Sequence, residues 1–294
     1  MIYSYEDYVR DPFRAVGDIA RYLHDGSLTL VLGSGVSSGF GLPQWALLAA
    51  RLLGKGDDAA FVDELSLKTD KEIERLVDPI DDRSPEYVTK VHNALYHEVA
   101  DNLSDQLARS PLLLAVAGLV TGSCRGRISS VMTYNYDDLL KQYLAMLGYT
   151  VCVRTDPTQF STWADVEINH IHGYLPQSRI GETKGDELVL SEKSYRHRRA
   201  FIDEGWSSYV AHSLYAKSGL FLGLSGDDSA ILDVMERAKG KIHRSEDYTG
   251  YWLMTPPAFE RNAKSILNVG MCPIKLTKDD FPRFVFALCQ HAAT

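Results

Sequence analysis

The chain has 294 residues, 45% of them hydrophobic and 24% charged, enough apolar material to fill a substantial core. Its formal net charge of −8 argues against a general nucleic-acid coat, because neutralising phosphates takes a concentrated basic surface, and no direct nucleic-acid binding is expected. The longest apolar runs, such as residues 111–120, fall far short of the roughly 20 residues needed to span a bilayer, so no membrane role is expected.

The start of the chain, Met1 to Asp7, lacks a basic region followed by an apolar core and does not read as a secretory signal. Residues 5–24 place Tyr8, Phe13, Val16, Ile19, Ala20 and Leu23 at spacings near three and four, which predicts an amphipathic helix. Residues 28–32, apolar except for Thr29, then have the character of a strand buried on both faces. The run breaks into Gly33-Ser34-Gly35-Val36-Ser37 and on to Gly41-Leu42-Pro43. Glycines there let backbone amides approach a phosphate, and a helix through Trp45–Leu53 would turn its positive end towards the ligand. The plainer reading is a tight strand-to-helix turn that binds nothing.

A dehydrogenase-type unit would bring a second strand and a ribose-binding acid about 20 residues beyond the glycines. This chain brings neither. Residues 57–120 read instead as helical, in segments 58–65, 71–76, 85–107 and 111–120, and form a helical insertion serving as scaffold, lid or partner surface. From residue 128 strands and helices alternate. Strands are predicted at 128–133, 149–154, 167–172, 187–191, 219–224, 251–254 and 272–276, and helices at 139–147, 192–216, 230–238, 257–268 and 279–291. This rhythm implies a Rossmann-like α/β fold, a mainly parallel sheet with helices on both faces. The expected organisation is one domain over 1–294, with 25–56 and 121–294 as its core.

Ligands of such sheets bind outside the carboxyl ends of the strands. Four strands end there in polar groups: Gly33-Ser34-Gly35, Asn135-x-Asp137, His172-Gly173 and Gly223-x-Ser225. Together, in this order, they resemble the sirtuin (Sir2) superfamily, and more closely the bacterial Sir2-like NAD-cleaving proteins of antiviral defence. Gly33-Ser34-Gly35-Val36-Ser37 with Gly41-Leu42-Pro43 is similar to the family's first glycine loop. Thr133-Tyr134-Asn135-Tyr136-Asp137 is similar to its asparagine-x-aspartate motif, and Ile171-His172-Gly173 to its histidine-glycine motif. Phe221-Leu222-Gly223-Leu224-Ser225-x-x-Asp228 is similar to its late glycine-x-serine loop, which holds the adenosine part of NAD.

The resemblance implies an NAD+ glycohydrolase in which His172 and Asn135 are catalytic. It implies that Gly33, Ser34, Gly35, Ser37, Asp137, Gly223, Ser225 and Asp228 bind NAD+. It also implies NAD depletion during phage infection, with activity gated by homo-oligomerisation or by a partner such as an ATPase/helicase or an Argonaute-type protein. Sirtuin deacylases carry two zinc-binding Cys-x-x-Cys pairs after the histidine. Here Cys124, Cys152, Cys272 and Cys289 stand singly, none of them between 152 and 272, so no zinc is expected. Gln44-Trp45-Ala46 also replaces the deacylases' aspartate-phenylalanine-arginine. Single cysteines suit a reduced, cytoplasmic setting. The alternatives are a protein deacylase or ADP-ribosyltransferase, and a non-catalytic module that senses NAD or ADP-ribose.

The chemistry suits the residue types. Cleaving the nicotinamide–ribose bond builds oxocarbenium character on the ribose while neutral nicotinamide leaves, so the protein must orient, shield and trap. Asn135 offers a donor and an acceptor together. An imidazole such as His172 can act as general base near neutral pH. Plainer roles exist for each. His172 would rest on a backbone carbonyl, and His170, on the same strand face, would rival it. Asn135 and Asp137 would cap the following helix, with Asp138 the expected cap itself, and Ser225 and Asp228 would cap theirs. Arg196, His197, Arg198 and Arg199 form a basic cluster that reads as a solvated helix face or a phosphate or partner site.

Overall fold

Every side chain of Leu28–Leu32 is buried, and the rest of the molecule is layered about this strand. The computed structural model describes residues 3–56, 58–82, 84–99, 110–121, 128–159, 161–178, 183, 187–197, 205–239 and 248–293. Its strands are β1 (Leu28–Leu32), β2 (Ser130–Thr133), β3 (Val151–Arg154), β4 (Val166–His170), β5 (Ser218–Leu222), β6 (Gly250–Met254) and β7 (Met271–Lys275). They form one sheet in the order β3-β4-β2-β1-β5-β6-β7, with every pair parallel. The chain leaves β1 towards β2 on one side and later returns to β5 on the other. The loops after β1 and β5 therefore meet at the topological switch point, where open α/β sheets take ligands.

The helices are α1 (Tyr5–Arg10), α2 (Ala15–His24), α3 (Trp45–Leu52), α4 (Ala59–Ser66), α5 (Asp70–Val77), α6 (Tyr87–Leu95), α7 (Pro111–Thr121), α8 (Leu139–Met146), α9 (Glu192–His197), α10 (Ser207–Ala216), α11 (Ser229–Lys239), α12 (Pro256–Asn268) and α13 (Asp280–Ala292). The two-residue period of the strands sorts their side chains between two cores. Leu28, Leu30, Leu32, Leu220, Leu222, Tyr251 and Leu253 join the core shared with α2, α7 and α13. Val31, Met132, Phe221, Trp252 and Met254 face the core under α10, α11 and α12. Phe221 and Trp252, register partners on β5 and β6, stack with ring centroids 4.5 Å apart. A third, smaller core of Ala49, Ala50, Leu65, Ile73 and Val77 ties α4 and α5 to α3. No helix among the described residues is long and apolar enough to cross a membrane.

Several elements differ from their sequence expectation for local reasons. The helix expected over 5–24 breaks at Asp11-Pro12, where the Asp11 carboxylate accepts from the Phe13 N–H and proline cannot continue the ladder. Residues 187–191 do not join the sheet. Instead Val189 donates its N–H to His172 O and accepts from the Tyr136 hydroxyl. The segments expected as helices over 85–107 and 192–216 contain α6, α9 and α10, while 100–109 and 198–204 lie outside the described residues.

Candidate functional site

The loop after β1 does not run straight into a helix. Two short 3-10 turns, Ser34–Val36 and Ser38–Phe40, intervene, and α3 starts only at Trp45. The helix expected over Trp45–Leu53 is present as α3, with the two turns lying between it and the glycines. Gly41, at φ +81°, turns the chain before Pro43. The amides of Gly33 and Gly35 are also already engaged, donating to Leu222 O and Gly223 O at 2.9 Å each. Their missing side chains serve loop packing. A Cβ on Gly35 would lie 2.8 Å from Gly223 Cα, and one on Gly33 would lie 2.6 Å from Gly223 O. The two motif loops are pressed backbone to backbone, a contact that reading each loop separately does not show.

Asn135, beyond the end of β2, holds the β1 loop beside this junction. Its Nδ2 donates to Gly33 O and to Ser37 Oγ, each at 3.2 Å, and its own N–H donates to Thr133 Oγ1. Ser37 in turn hydrogen-bonds the Asp137 carboxyl group, forming a chain from Asn135 through Ser37 to Asp137. Asp137 is buried and also accepts from the Leu139 N–H at 3.1 Å, so it caps α8. Asp138, the expected cap, makes no capping bond and accepts instead from the Gln177 N–H. Burial pushes the Asp137 carboxyl up to about 6, against the opposing pull of the Leu139 and Ser37 hydrogen bonds.

The two histidines near the end of β4 have different surroundings. The strand ends at His170, so His172 lies beyond it on the rim, half-buried, with its ring edge-on to Tyr134 at 4.9 Å. Gly173 follows at φ +103°, where a Cβ would collide with Glu187 O. His170 is 2% exposed and sits beneath the rim, its Nδ1 2.8 Å from Asn135 O. The expectation that a regular strand would let His170 share the rim with His172 is corrected, because the strand stops between them.

Beyond β5, Gly223 takes φ +73°. Asp228 accepts from the Ile231 N–H in the first turn of α11, the capping role weighed above, whereas Ser225 Oγ accepts from the Asp227 N–H within the loop before the helix. The helical segment 57–120 reaches this loop through α5. Burial first, then the charges of Asp228 and Asp227, raise Asp70 to about 6. Burial first, then Asp228, Asp70 and Glu192, raise Glu74 to about 7. Asp70 and Glu74 are one turn apart, but nothing in sequence spacing tells which loop that face meets.

These raised carboxyls have a signed consequence. Stability from the protonated form is fully present below the unfolded pKa, about 4, and is lost as pH rises through the folded values. Glu74→Gln is expected to stabilise the protein by ~1 kcal/mol at pH 8, after allowance for the partial exposure of Glu74, and to raise Tm by about 2–4 °C. At pH 4 the melting temperatures of variant and wild type should coincide. Thermal melts at the two pH values check this.

The side chains of Arg196 and His197, and all of Arg198 and Arg199, lie outside the described residues, as does Cys124. Cys152 and Cys272 are free thiols. Among the described residues no group of three or more His, Cys, Asp or Glu side chains is placed to hold a metal ion.

Residues 129–274 match the model of the SIR2-like domain family. The chain carries a SIR2-like domain. The match runs from the residue before β2 into β7 and includes Asn135, His172 and Gly223. β1 and its glycine loop lie outside the matched SIR2-like segment, yet the sheet holds them at its centre, with Leu30 paired to Val131 and to Leu220. No curated protein matches the chain. A SIR2-like domain is NAD-related, which makes the rim bounded by Asn135 and His172 the candidate active site.

Proposed function

We propose that the protein is an NAD+ glycohydrolase. The observation that carries this reading is the placement of Asn135, held by Gly33 O and Ser37 Oγ where the β1 and β5 loops meet, within a chain that carries a SIR2-like domain. In the reaction, the bond between nicotinamide N1 and ribose C1′ breaks and its electron pair leaves with neutral nicotinamide. A water oxygen bonds to C1′, and His172 takes the water's proton, giving ADP-ribose. Asn135 fixes the nicotinamide-side ribose or the water. Asp137 orients Asn135 through Ser37, and Ser34, Ser37, Ser225 and Asp228 hold the remainder of NAD+. Gly33, Gly35 and Gly223 contribute by bringing the loops together.

The proposal extends to zinc-independent catalysis by a single Sir2-like unit over 1–294, acting in the cytoplasm to deplete NAD during phage infection. A homo-oligomer or an ATPase/helicase or Argonaute-type partner gates it, since unrestrained cleavage would kill the host. Incubation with NAD+ alone, followed by chromatography, is expected to give nicotinamide and ADP-ribose. His172→Ala should lower the rate by about 10²–10⁴-fold, the usual worth of a general base. Nicotinamide release only when a protein acceptor is added would replace hydrolysis with group transfer. Tight NAD+ binding without any release would make the chain a sensing module.

A further inference from the structure

A small cavity of ≈ 20 Å³ lies under the rim, bounded among others by Ser37, Thr133, Asn135, Asp137, Lys141 and His170. That volume takes about one water molecule. His170 lines it from below and, at 2% exposed, has no bulk solvent to turn to. Its Nδ1 faces Asn135 O, and a carbonyl oxygen only accepts, so Nδ1 carries the proton. In the neutral ring Nε2 is then an acceptor. Nε2 is fully buried and has no hydrogen-bond partner among the described residues. Burial, with Lys141 adding to it, lowers the imidazole to about 4 against the opposing Asn135 bond, so the ring is neutral at physiological pH.

An orphaned buried acceptor is costly, and native proteins commonly satisfy one with an internal water where a polar cavity has room. We propose that His170 is the positioning residue of Asn135. Its Nδ1–H holds the Asn135 carbonyl, and its Nε2 accepts from one buried water in the cavity beside the Ser37–Asp137 pair. The backbone of Asn135 is thereby held from below while Gly33 O and Ser37 hold its side chain from above. Tyr174, edge-on to the His170 ring at 4.8 Å, fixes the ring plane. The effect on catalysis rests on the glycohydrolase reading, whereas the geometry of the site does not.

The test compares wild type with His170→Asn, which keeps an N–H near the Nδ1 position, and His170→Phe, which keeps only ring bulk. In histidine side-chain NMR at pH 7, wild type is expected to show one neutral Nδ1-protonated ring that is absent from both variants. An Nε2-protonated or cationic ring overturns the proposal. The Asn135 side-chain amide signal should move in His170→Phe and stay near its wild-type position in His170→Asn. Equal shifts in both variants also overturn it. In nicotinamide release, His170→Phe should lose about 10- to 100-fold in kcat with KM little changed, the scale of a misplaced catalytic group, and His170→Asn should recover most of that loss. Equal kcat for the two variants rejects the positioning role. If wild type releases no nicotinamide, the glycohydrolase reading falls alone, and the two NMR readouts still decide the role of His170.

Discussion

Gly223→Ala is expected to destabilise the protein by ~3–5 kcal/mol and to abolish detectable NAD+ cleavage. Two costs add. Gly223 has φ +73°, where an L side chain costs roughly 1–2 kcal/mol. Its new Cβ would also stand 2.7 Å from Val36 N and 2.8 Å from Gly33 O. Those neighbours are backbone and cannot swing aside, so relief requires parting the β1 and β5 loops and losing the Gly35 N–H bond to Gly223 O. At about 2–4 °C per kcal/mol for a chain of this size, the melting temperature should fall by roughly 10 °C. Gly148→Ala is the control. It shares the backbone strain at φ +82° but has open space around the added methyl group. Its melting temperature should fall by only a few degrees, with NAD+ cleavage retained. Equal losses in the two variants would mean that backbone strain, and not the junction of the loops, carries the effect.

Much of the sheet was legible because strands such as β1, β5 and β6 are short, mostly apolar runs. A strand buried on both faces leaves no polar alternation, and Leu28–Leu32 announces itself in that way. The order of the strands was not legible, because register and neighbours depend on contacts far apart in sequence. The rim was legible at Asn135 and His172, since each lies just beyond a strand that the sequence predicts. The packing role of the glycines was not legible. A glycine-rich loop is equally suited to cradling a phosphate and to accepting another backbone, and only the pairing of β1 with β5 shows that Gly33 and Gly35 do the latter. The separation of His170 from His172 was hidden for a similar reason. Residues two apart share a face only while the strand continues, and β4 ends at His170. The acidic face of α5 had a visible i, i+4 pair in Asp70 and Glu74, but its opposition to Asp227 and Asp228 arises from tertiary packing.

Asn135→Ala should cut catalysis sharply while leaving the fold intact. The side chain makes two hydrogen bonds, to Gly33 O and Ser37 Oγ, and removing it leaves Gly33 O without that donor and Ser37 held only by its other contacts. A loss of ~1–2 kcal/mol in stability follows from the lost bonds at this half-buried site, far short of unfolding. The rate loss is expected to be larger, about 10²–10³-fold in kcat/KM, because in the proposed reaction the same amide fixes the ribose or the water. Asn135→Asp distinguishes these contributions. The carboxylate nearly matches the amide in size, but it cannot donate to Gly33 O and brings a negative charge towards Asp137, whose carboxyl already sits at about 6. That charge should raise Asp137 further, so any residual activity of Asn135→Asp should fall more steeply than that of the wild type as pH rises through 6 to 8 and both carboxyls ionise. Steady-state nicotinamide release across that range, with thermal melts on the same samples, measures both effects. Wild-type kcat/KM in Asn135→Ala would remove Asn135 from the chemistry and leave it only as a tie to the β1 loop.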